Sequence, residues 1–245
     1  MIGADWTGTM PVTTRIIASA TALVAVALSH GTAHPQTAQQ SSWCTGEDGP
    51  TPDQQIDGCT AVIQSGHFAG INLAIAFYNR GNAYRDKGHY DRAIEDYERA
   101  IRLRPNYALA FNNRGLVFAN NGHSERAIED FDQAIKLDPN YAVAFYNRGN
   151  VHSSKERYAR AIADYDRAIE LNPEYFQAFA NRGSAYGDSG QFIRAIADFD
   201  EAIKLNPDYA LAFRNRSLVK RKAGDLAGAA ADLAAARRID PNIDR

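Results

Sequence analysis

The chain has 245 residues, 45% apolar and 23% charged, with a formal net charge of −2. That length suits one ordinary domain or one repeat array, and the composition is that of a folded soluble protein. No basic excess supplies the clustered Lys and Arg that a nucleic-acid surface needs to neutralise phosphates.

Residues 1–33 read as a secretory signal peptide. Arg15 precedes an apolar run from Ile16 to Leu28, and small residues follow at cleavage spacing, Ala27 and Ser29 or Gly31 and Ala33. A single membrane anchor is the alternative, but spanning a bilayer takes about 20 apolar residues and this run is shorter. Met10 opens a more usual leader than Met1. Residues 34–50 are polar and rich in Gly, Pro and Ser, which suggests a flexible lead-in.

Cys44 and Cys59 are the two cysteines. Their spacing is neither a redox nor a metal pattern. After export they can pair, closing a loop of about 15 residues and stabilising by about 3 kcal/mol in the chain-entropy model. The alternative is a buried free Cys59 and an idle Cys44. Thr51-Pro52-Asp53-Gln54 is a capping box with Pro at the first helical position, so a helix should run from 52 to 64. Residues 51–73 then form an N-terminal capping helix and its linker.

From Ala74 the chain repeats every 34 residues, in units 74–107, 108–141, 142–175, 176–209 and 210–243. Asn-Arg-Gly begins at Asn79, Asn113, Asn147 and Asn181, and Asn215-Arg216-Ser217 is a degenerate fifth copy. Each unit reads as two helices, A and B. In the first, helix A covers about 74–87, Gly88 makes a left-handed turn, and helix B covers 90–103 before Pro105. Ala93, Ile94, Tyr97, Ala100 and Ile101 form one apolar stripe on B.

These columns resemble the tetratricopeptide repeat, in an exported bacterial form. Within each unit that family places a large apolar residue fourth, Gly or Ala eighth, Tyr eleventh, Ala twentieth, an aromatic twenty-fourth, Ala twenty-seventh and Pro thirty-second. The first unit offers Phe77, Gly81, Tyr84, Ala93, Tyr97, Ala100 and Pro105. The resemblance implies an all-α fold, a right-handed α-solenoid of helix–turn–helix units. Three departures matter. His152 replaces the usual Tyr, and Glu156 stands where Gly would end helix A, at about 1 kcal/mol if left-handed. The fifth unit has an Ala-rich helix B and looks like a terminal cap.

The resemblance also implies a function, binding an extended segment of a partner protein in the concave groove lined by A helices. Asn79, Asn113, Asn147, Asn181 and Asn215 form a ladder of amides that can pair with a peptide backbone. Tyr78, Asn82, Tyr146, Asn150 and Arg214 lie around it. A structural role for the ladder, bridging neighbouring helices, is the alternative. The family's carboxylate clamp is not expected, because its cations are missing from the Tyr78 and Val143 positions. A recurring Arg (Arg80, Arg114, Arg148, Arg182, Arg216) and a recurring Asp (Asp96, Asp130, Asp164, Asp198, Asp232) suggest paired contacts along the stack, with separate solvation as the alternative. No catalytic, metal or cofactor motif stands out, and His89 and His123 are explained by periodicity. The expected protein is therefore not an enzyme but a periplasmic or secreted scaffold without cofactor, nucleic-acid partner or mature membrane span. The rival reading is an assembly subunit of a cell-envelope complex that uses its convex face or its ends.

Overall fold

The computed structural model describes residues 35–244, in twelve α-helices with no strand among the described residues. The expected signal peptide lies outside them. The chain divides after Leu137 into two compact units. The first holds α1 (Pro35–Thr45), α2 (Pro52–Gln64), α3 (Gly70–Asp86), α4 (Tyr90–Leu103), α5 (Ala108–Asn120) and α6 (Ser124–Leu137). The second holds α7 (Ala142–Ser154), α8 (Tyr158–Leu171), α9 (Phe176–Asp188), α10 (Phe192–Leu205), α11 (Ala210–Lys222) and α12 (Leu226–Ile239). Within each, consecutive helices pack as pairs, the A and B helices of the repeat.

The helix ends follow from the residues that punctuate the period. A residue before proline is pushed out of the helical region. Arg104, Asn172, Asn206 and Asp240 each precede a proline, and each sits in extended backbone, with φ between −129° and −140°. Helix A ends on a left-handed residue, Gly88, Gly122, Gly190 or Gly224. In the third repeat that residue is Glu156, with φ 57°, and it is the one non-glycine with positive φ among the described residues. The expected strained turn is therefore present.

A and B touch through a small residue. A Cβ added at Gly81 would lie 2.8 Å from a ring carbon of Tyr97, so the glycine is what lets the buried aromatic ring lie flat against helix A. Above this contact lies an ion pair. Arg80, Arg114, Arg148, Arg182 and Arg216 each donate through Nε and Nη2 to both oxygens of Asp96, Asp130, Asp164, Asp198 and Asp232, at 2.5–3.0 Å. The carboxylates are buried. Each guanidinium also covers the ring of its own Phe77, Phe111, Phe145, Phe179 or Phe213, at 5.4–5.7 Å. Paired contact, rather than separate solvation, is the arrangement. The third donor reaches back one repeat, from Arg182 Nη1 to Asp166 at 2.6 Å and from Arg216 Nη1 to Asp200 at 2.5 Å. Arg182 and Arg216 thereby each tie their own B helix to the one before.

The N-terminal pair departs from expectation. The capping box on Thr51 and Gln54 forms, and α2 spans the expected residues. Residues 35–45, however, are the helix α1, not a flexible lead-in, and α2 is therefore not an orphan. The Gly and Pro that suggested flexibility cluster after Thr45, while the stretch from Gln36 to Thr45 contains neither. A short polar helix has little stability alone and is held by tertiary packing. Here that packing inverts the ordinary repeat, because the small residue sits on B. A Cβ at Gly58 would lie 2.5 Å from the Gln40 carbonyl oxygen and 2.8 Å from Trp43 Cβ. Next to this approach, Cys44 and Cys59 are joined by a disulfide with a Cα–Cα distance of 4.5 Å, and both are buried. The linker is also shorter than expected. Helix α3 begins at Gly70 and not at Ala74, and Leu73 packs against the cluster of Phe77, Ala100 and Tyr107.

At the other end, the isoleucine column of B helices (Ile101, Ile135, Ile169, Ile203) becomes Arg237, which donates to Asp244 at 2.6 Å. Ala230, Ala231 and Ala234 are exposed. The Ala-rich α12 thus puts a small and charged face to water.

Candidate functional site

The asparagine ladder is a set of cross-helix bonds. In the first unit, Asn113 Nδ2 donates to Asn82 Oδ1 at 2.8 Å and to the Tyr78 hydroxyl at 3.0 Å, both on the preceding A helix. Its Oδ1 accepts from Asn112 Nδ2 at 3.0 Å. In the second unit, Asn181 Nδ2 donates to Asn150 Oδ1 at 2.8 Å and to the Tyr146 hydroxyl at 3.0 Å. Asn215 Nδ2 reaches Ser184 Oγ at 3.4 Å. Asn79 Nδ2 donates to the Cys44 carbonyl at 3.0 Å, so α1 stands where a preceding A helix would. Asn113 and Asn147 are buried, and Asn79, Asn181 and Asn215 are half-buried. The donors expected to face a ligand thus point at the neighbouring helix wherever their bonds are described.

These bonds orient a second set of amides. Asn82 Oδ1 accepts from Asn113 and also from the Tyr97 hydroxyl, at 2.8 Å. Asn150 Oδ1 accepts from Asn181 and from the Tyr165 hydroxyl, at 2.8 Å. Both lone pairs of each oxygen are occupied, so the carboxamide NH2 is turned away from the buried tyrosine. The hydroxyl of Tyr78 or Tyr146 lies beside it. Burial raises the pKa of Tyr78, Tyr97, Tyr146 and Tyr165, so all four stay protonated donors at neutral pH. Each unit therefore carries one set of oriented N–H and O–H donors. The rings are fixed from behind: Tyr78 packs on Tyr107 with centroids 4.9 Å apart, and Tyr146 on Tyr175 at 4.8 Å.

Sequence reasoning placed Tyr78, Asn82, Tyr146 and Asn150 among the candidates but missed Tyr97 and Tyr165, the groups that hold the amides. Their signal was present as a second period. Tyr78, Asn82 and Tyr97 recur 68 residues later as Tyr146, Asn150 and Tyr165. In the intervening repeats the inner ring is Phe131 or Phe199, and Leu116 or Ser184 replaces the amide. A buried hydroxyl appears only where the amide that accepts its proton is present.

Arg214 stands on α11 at the repeat position of Tyr78 and Tyr146, half-buried. No group of three or more His, Cys, Asp or Glu that could hold a metal occurs among the described residues. No helix among them is long and apolar enough to cross a membrane.

Comparison with known proteins matches this geometry to a family. A tetratricopeptide-repeat model covers residues 108–141, 142–175 and 176–209, and a second TPR-repeat model covers 81–122. Together they span just over half of the chain. Among solved structures, MamA is 26% identical with a TM-score of 0.60, over 66% of this chain and 95% of that one. YrrB, described as a TPR protein with an unusual peptide-binding site, is 24% identical with a TM-score of 0.60, over 76% and 94%. A tetratricopeptide repeat protein from Parabacteroides merdae ATCC 43184 is 19% identical with a TM-score of 0.68, over 81% and 78%. No curated protein matches significantly.

Proposed function

Because this chain belongs to the tetratricopeptide-repeat family of protein-interaction scaffolds, we propose that it holds an extended segment of a partner polypeptide against its A helices. Each compact unit offers one donor pair for backbone carbonyls, Tyr78 with Asn82 in the first and Tyr146 with Asn150 in the second. One observation carries this reading: the Asn82 and Asn150 oxygens are each locked by two hydrogen bonds, so their NH2 groups are oriented before any ligand arrives. Pre-set donors lower the ordering cost of binding. Asn113 and Asn181 act as positioning residues, and Asn79, Asn147 and Asn215 continue their column. Half-buried Ile75, Val143 and Leu211 and exposed Leu109 add apolar contact. That YrrB, which shares this fold, is described as having a peptide-binding site supports a peptide ligand in general.

The working compartment in this proposal is oxidising, either periplasmic or secreted. The Cys44–Cys59 bridge supports it, since such bonds persist outside the reducing cytosol. The rival reading, an assembly subunit of a cell-envelope complex that docks through its convex face or its ends, predicts no role for the amide pairs.

The test uses peptides selected from a displayed random library against the intact chain. Asn82→Asp and Asn150→Asp keep an oxygen for Tyr97 or Tyr165 and for the next asparagine, but remove the outward donors. A loss of about 1.5–3 kcal/mol, at least tenfold in affinity, is expected with little change in the thermal midpoint. Unchanged affinity in the doubly substituted chain would remove the amides from the site.

A further inference from the structure

In the second compact unit, Asp138–Arg245, the edge where helix A turns into helix B carries two bare apolar side chains. Ile193 is 88% exposed and Leu226 is 68% exposed, the most of any large apolar residue among those described. Both stand in the first turn of a B helix, α10 or α12. The three turns of this unit lie side by side. Tyr158, at the start of α8, packs on the cluster that holds Ala185 of α9. Phe192, at the start of α10, packs on the cluster that holds Val219 of α11. Lys222 at the end of α11 lies 3.8 Å from Asp188 at the end of α9. Leu226 is the counterpart of Tyr158 and Phe192, left bare because no further A helix follows it among the described elements.

Ile193 is bare for another reason. The eighteenth residue of a unit is Asp91 or Glu125 in the first compact unit, but Ala159, Ile193 or Ala227 in the second. The nineteenth stays arginine in the first four repeats, as Arg92, Arg126, Arg160 and Arg194. The acids of this edge are thus replaced while its cations remain. Over turns 153–160, 187–194 and 221–228, six cations (Lys155, Arg157, Arg160, Arg194, Arg221 and Lys222) face three acids (Glu156, Asp188 and Asp225). Asp188 lies against Lys222, and Asp225 accepts from Gly228 N–H at 2.8 Å. The equivalent turns of the first unit, 85–92 and 119–126, hold four cations and three acids. At the other ends of the helices the sign reverses. Turns 138–141, 170–175, 204–209 and 238–243 hold five acids and two cations. The 14-residue B helices separate the two edges by about 20 Å, well beyond the Debye length of about 8 Å at physiological ionic strength. The basic edge therefore acts on its own surroundings despite the chain's net charge of −2.

We propose that this edge binds the surface of an anionic phospholipid bilayer. Ile193 and Leu226 enter at the boundary of headgroups and acyl chains, and the cations meet the phosphates. Peripheral binding rests on these two contributions together, buried apolar area and attraction of basic side chains to anionic lipid. A bilayer fits this edge better than a folded protein partner. A protein hot spot is an anchor buried in a closely matched and water-excluding pocket. Here the apolar tips project from open turns, where a Cβ added at Gly190 or Gly224 would meet nothing within 4 Å. Fluid acyl chains need no matched shape. The acidic edge is repelled by the same lipids, so the helices stand with their A–B turns toward the bilayer.

The experiment is co-sedimentation with vesicles of phosphatidylcholine containing about one third phosphatidylglycerol, at physiological ionic strength. It uses the intact chain and, beside it, a chain that begins at Pro35. The shorter chain omits the apolar run Ile16–Leu28 and retains every described helix, so its partitioning decides. Partitioning should fall at least about tenfold with Ile193→Ser and Leu226→Ser together, and by a similar factor with Arg160→Gln and Arg194→Gln together. Pure phosphatidylcholine vesicles should bind as weakly as the Gln variant. All four side chains are exposed, so the thermal midpoints should not move. If the Gln pair lowers the midpoint, the Ser pair alone decides. The Asn82→Asp, Asn150→Asp chain should bind vesicles as well as wild type, which separates this edge from the peptide site. No sedimentation of the Pro35 chain, equal partitioning of its Ser variant, or equal binding to pure phosphatidylcholine overturns the proposal. Self-association that the Ser pair abolishes, in place of vesicle binding, overturns it in favour of a second copy.

Discussion

The first and third full helix pairs, α3–α4 and α7–α8, share their polar cluster residue for residue and differ at the turn between A and B. Both keep the Tyr–Asn–Tyr constellation with the same bond lengths. At the turn, Gly88 gives way to Glu156, and Tyr84 gives way to His152. Tyr84 is half-buried and offers its ring to Arg80 and Arg92 at 5.8 and 5.6 Å. His152 is buried, its Nδ1 has no partner, and its Nε2 lies 3.9 Å from Asp164, beyond hydrogen-bond reach. The two pairs therefore preserve the proposed donor cluster and drift in what only holds the fold. The third repeat carries its sequence-specific cost in the turn, not in the cluster.

The comparison is tested most severely at the ion pair that both repeats share. Arg148→Ala or Asp164→Ala alone should cost about 3–5 kcal/mol, because the survivor is a buried and unpaired charge. Denaturant unfolding of the two single variants and the double should show coupling of about 1–3 kcal/mol. Additive losses would mean the geometry carries no energy. Arg80 and Asp96 should behave alike, and a much smaller loss there would break the equivalence of the two repeats.

A smaller effect is expected at the turn. Glu156→Gly should stabilise by about 1 kcal/mol, since the left-handed backbone is strained for Glu and not for Gly. The reverse change, Gly88→Glu, should lose about as much. Equal midpoints for Glu156→Gly and wild type would show that the turn is not where the third repeat is weak.

The smallest effect is one of pH. Burial lowers the pKa of His152 from its ordinary 6.5; Asp164 opposes this, and Arg148, Arg160 and Arg157 reinforce it. The folded state therefore prefers the neutral imidazole. The associated stability is fully present above about pH 6.5 and is lost as the pH falls below it, where the unfolded chain takes up the proton more readily. Thermal melts at pH 7.5 and 5.5 should show a larger acid-induced drop for wild type than for His152→Tyr. Identical drops would assign the acid sensitivity elsewhere.

Much of the fold was legible because it is local or strictly periodic. Arg80 and Asp96 are 16 residues apart inside one helix pair, and that spacing recurs in every unit. The capping box, the prolines and the left-handed Glu156 act within a few residues of where they stand. The candidate site was legible in its residues but not in their orientation. Asn113 and Asn82 are 31 residues apart on different A helices, so only their packing reveals which amide binds its neighbour and which faces outward. The 68-residue alternation that exposes Tyr97 and Tyr165 was present in the sequence, masked by the stronger 34-residue period.

The sequence by itself determined the repeat, the proline and glycine stops of its helices, the Arg–Asp columns and the two cysteines that could pair. Each follows from backbone sterics or from residues recurring at one spacing. Tertiary structure decided that residues 35–45 are a helix and that the asparagine ladder fastens helix to helix. Those outcomes depend on how one helix lies against the next, and neither propensity nor period encodes that contact. For α1 the deciding features were the absent side chain at Gly58, which lets two backbones meet, and the disulfide beside it.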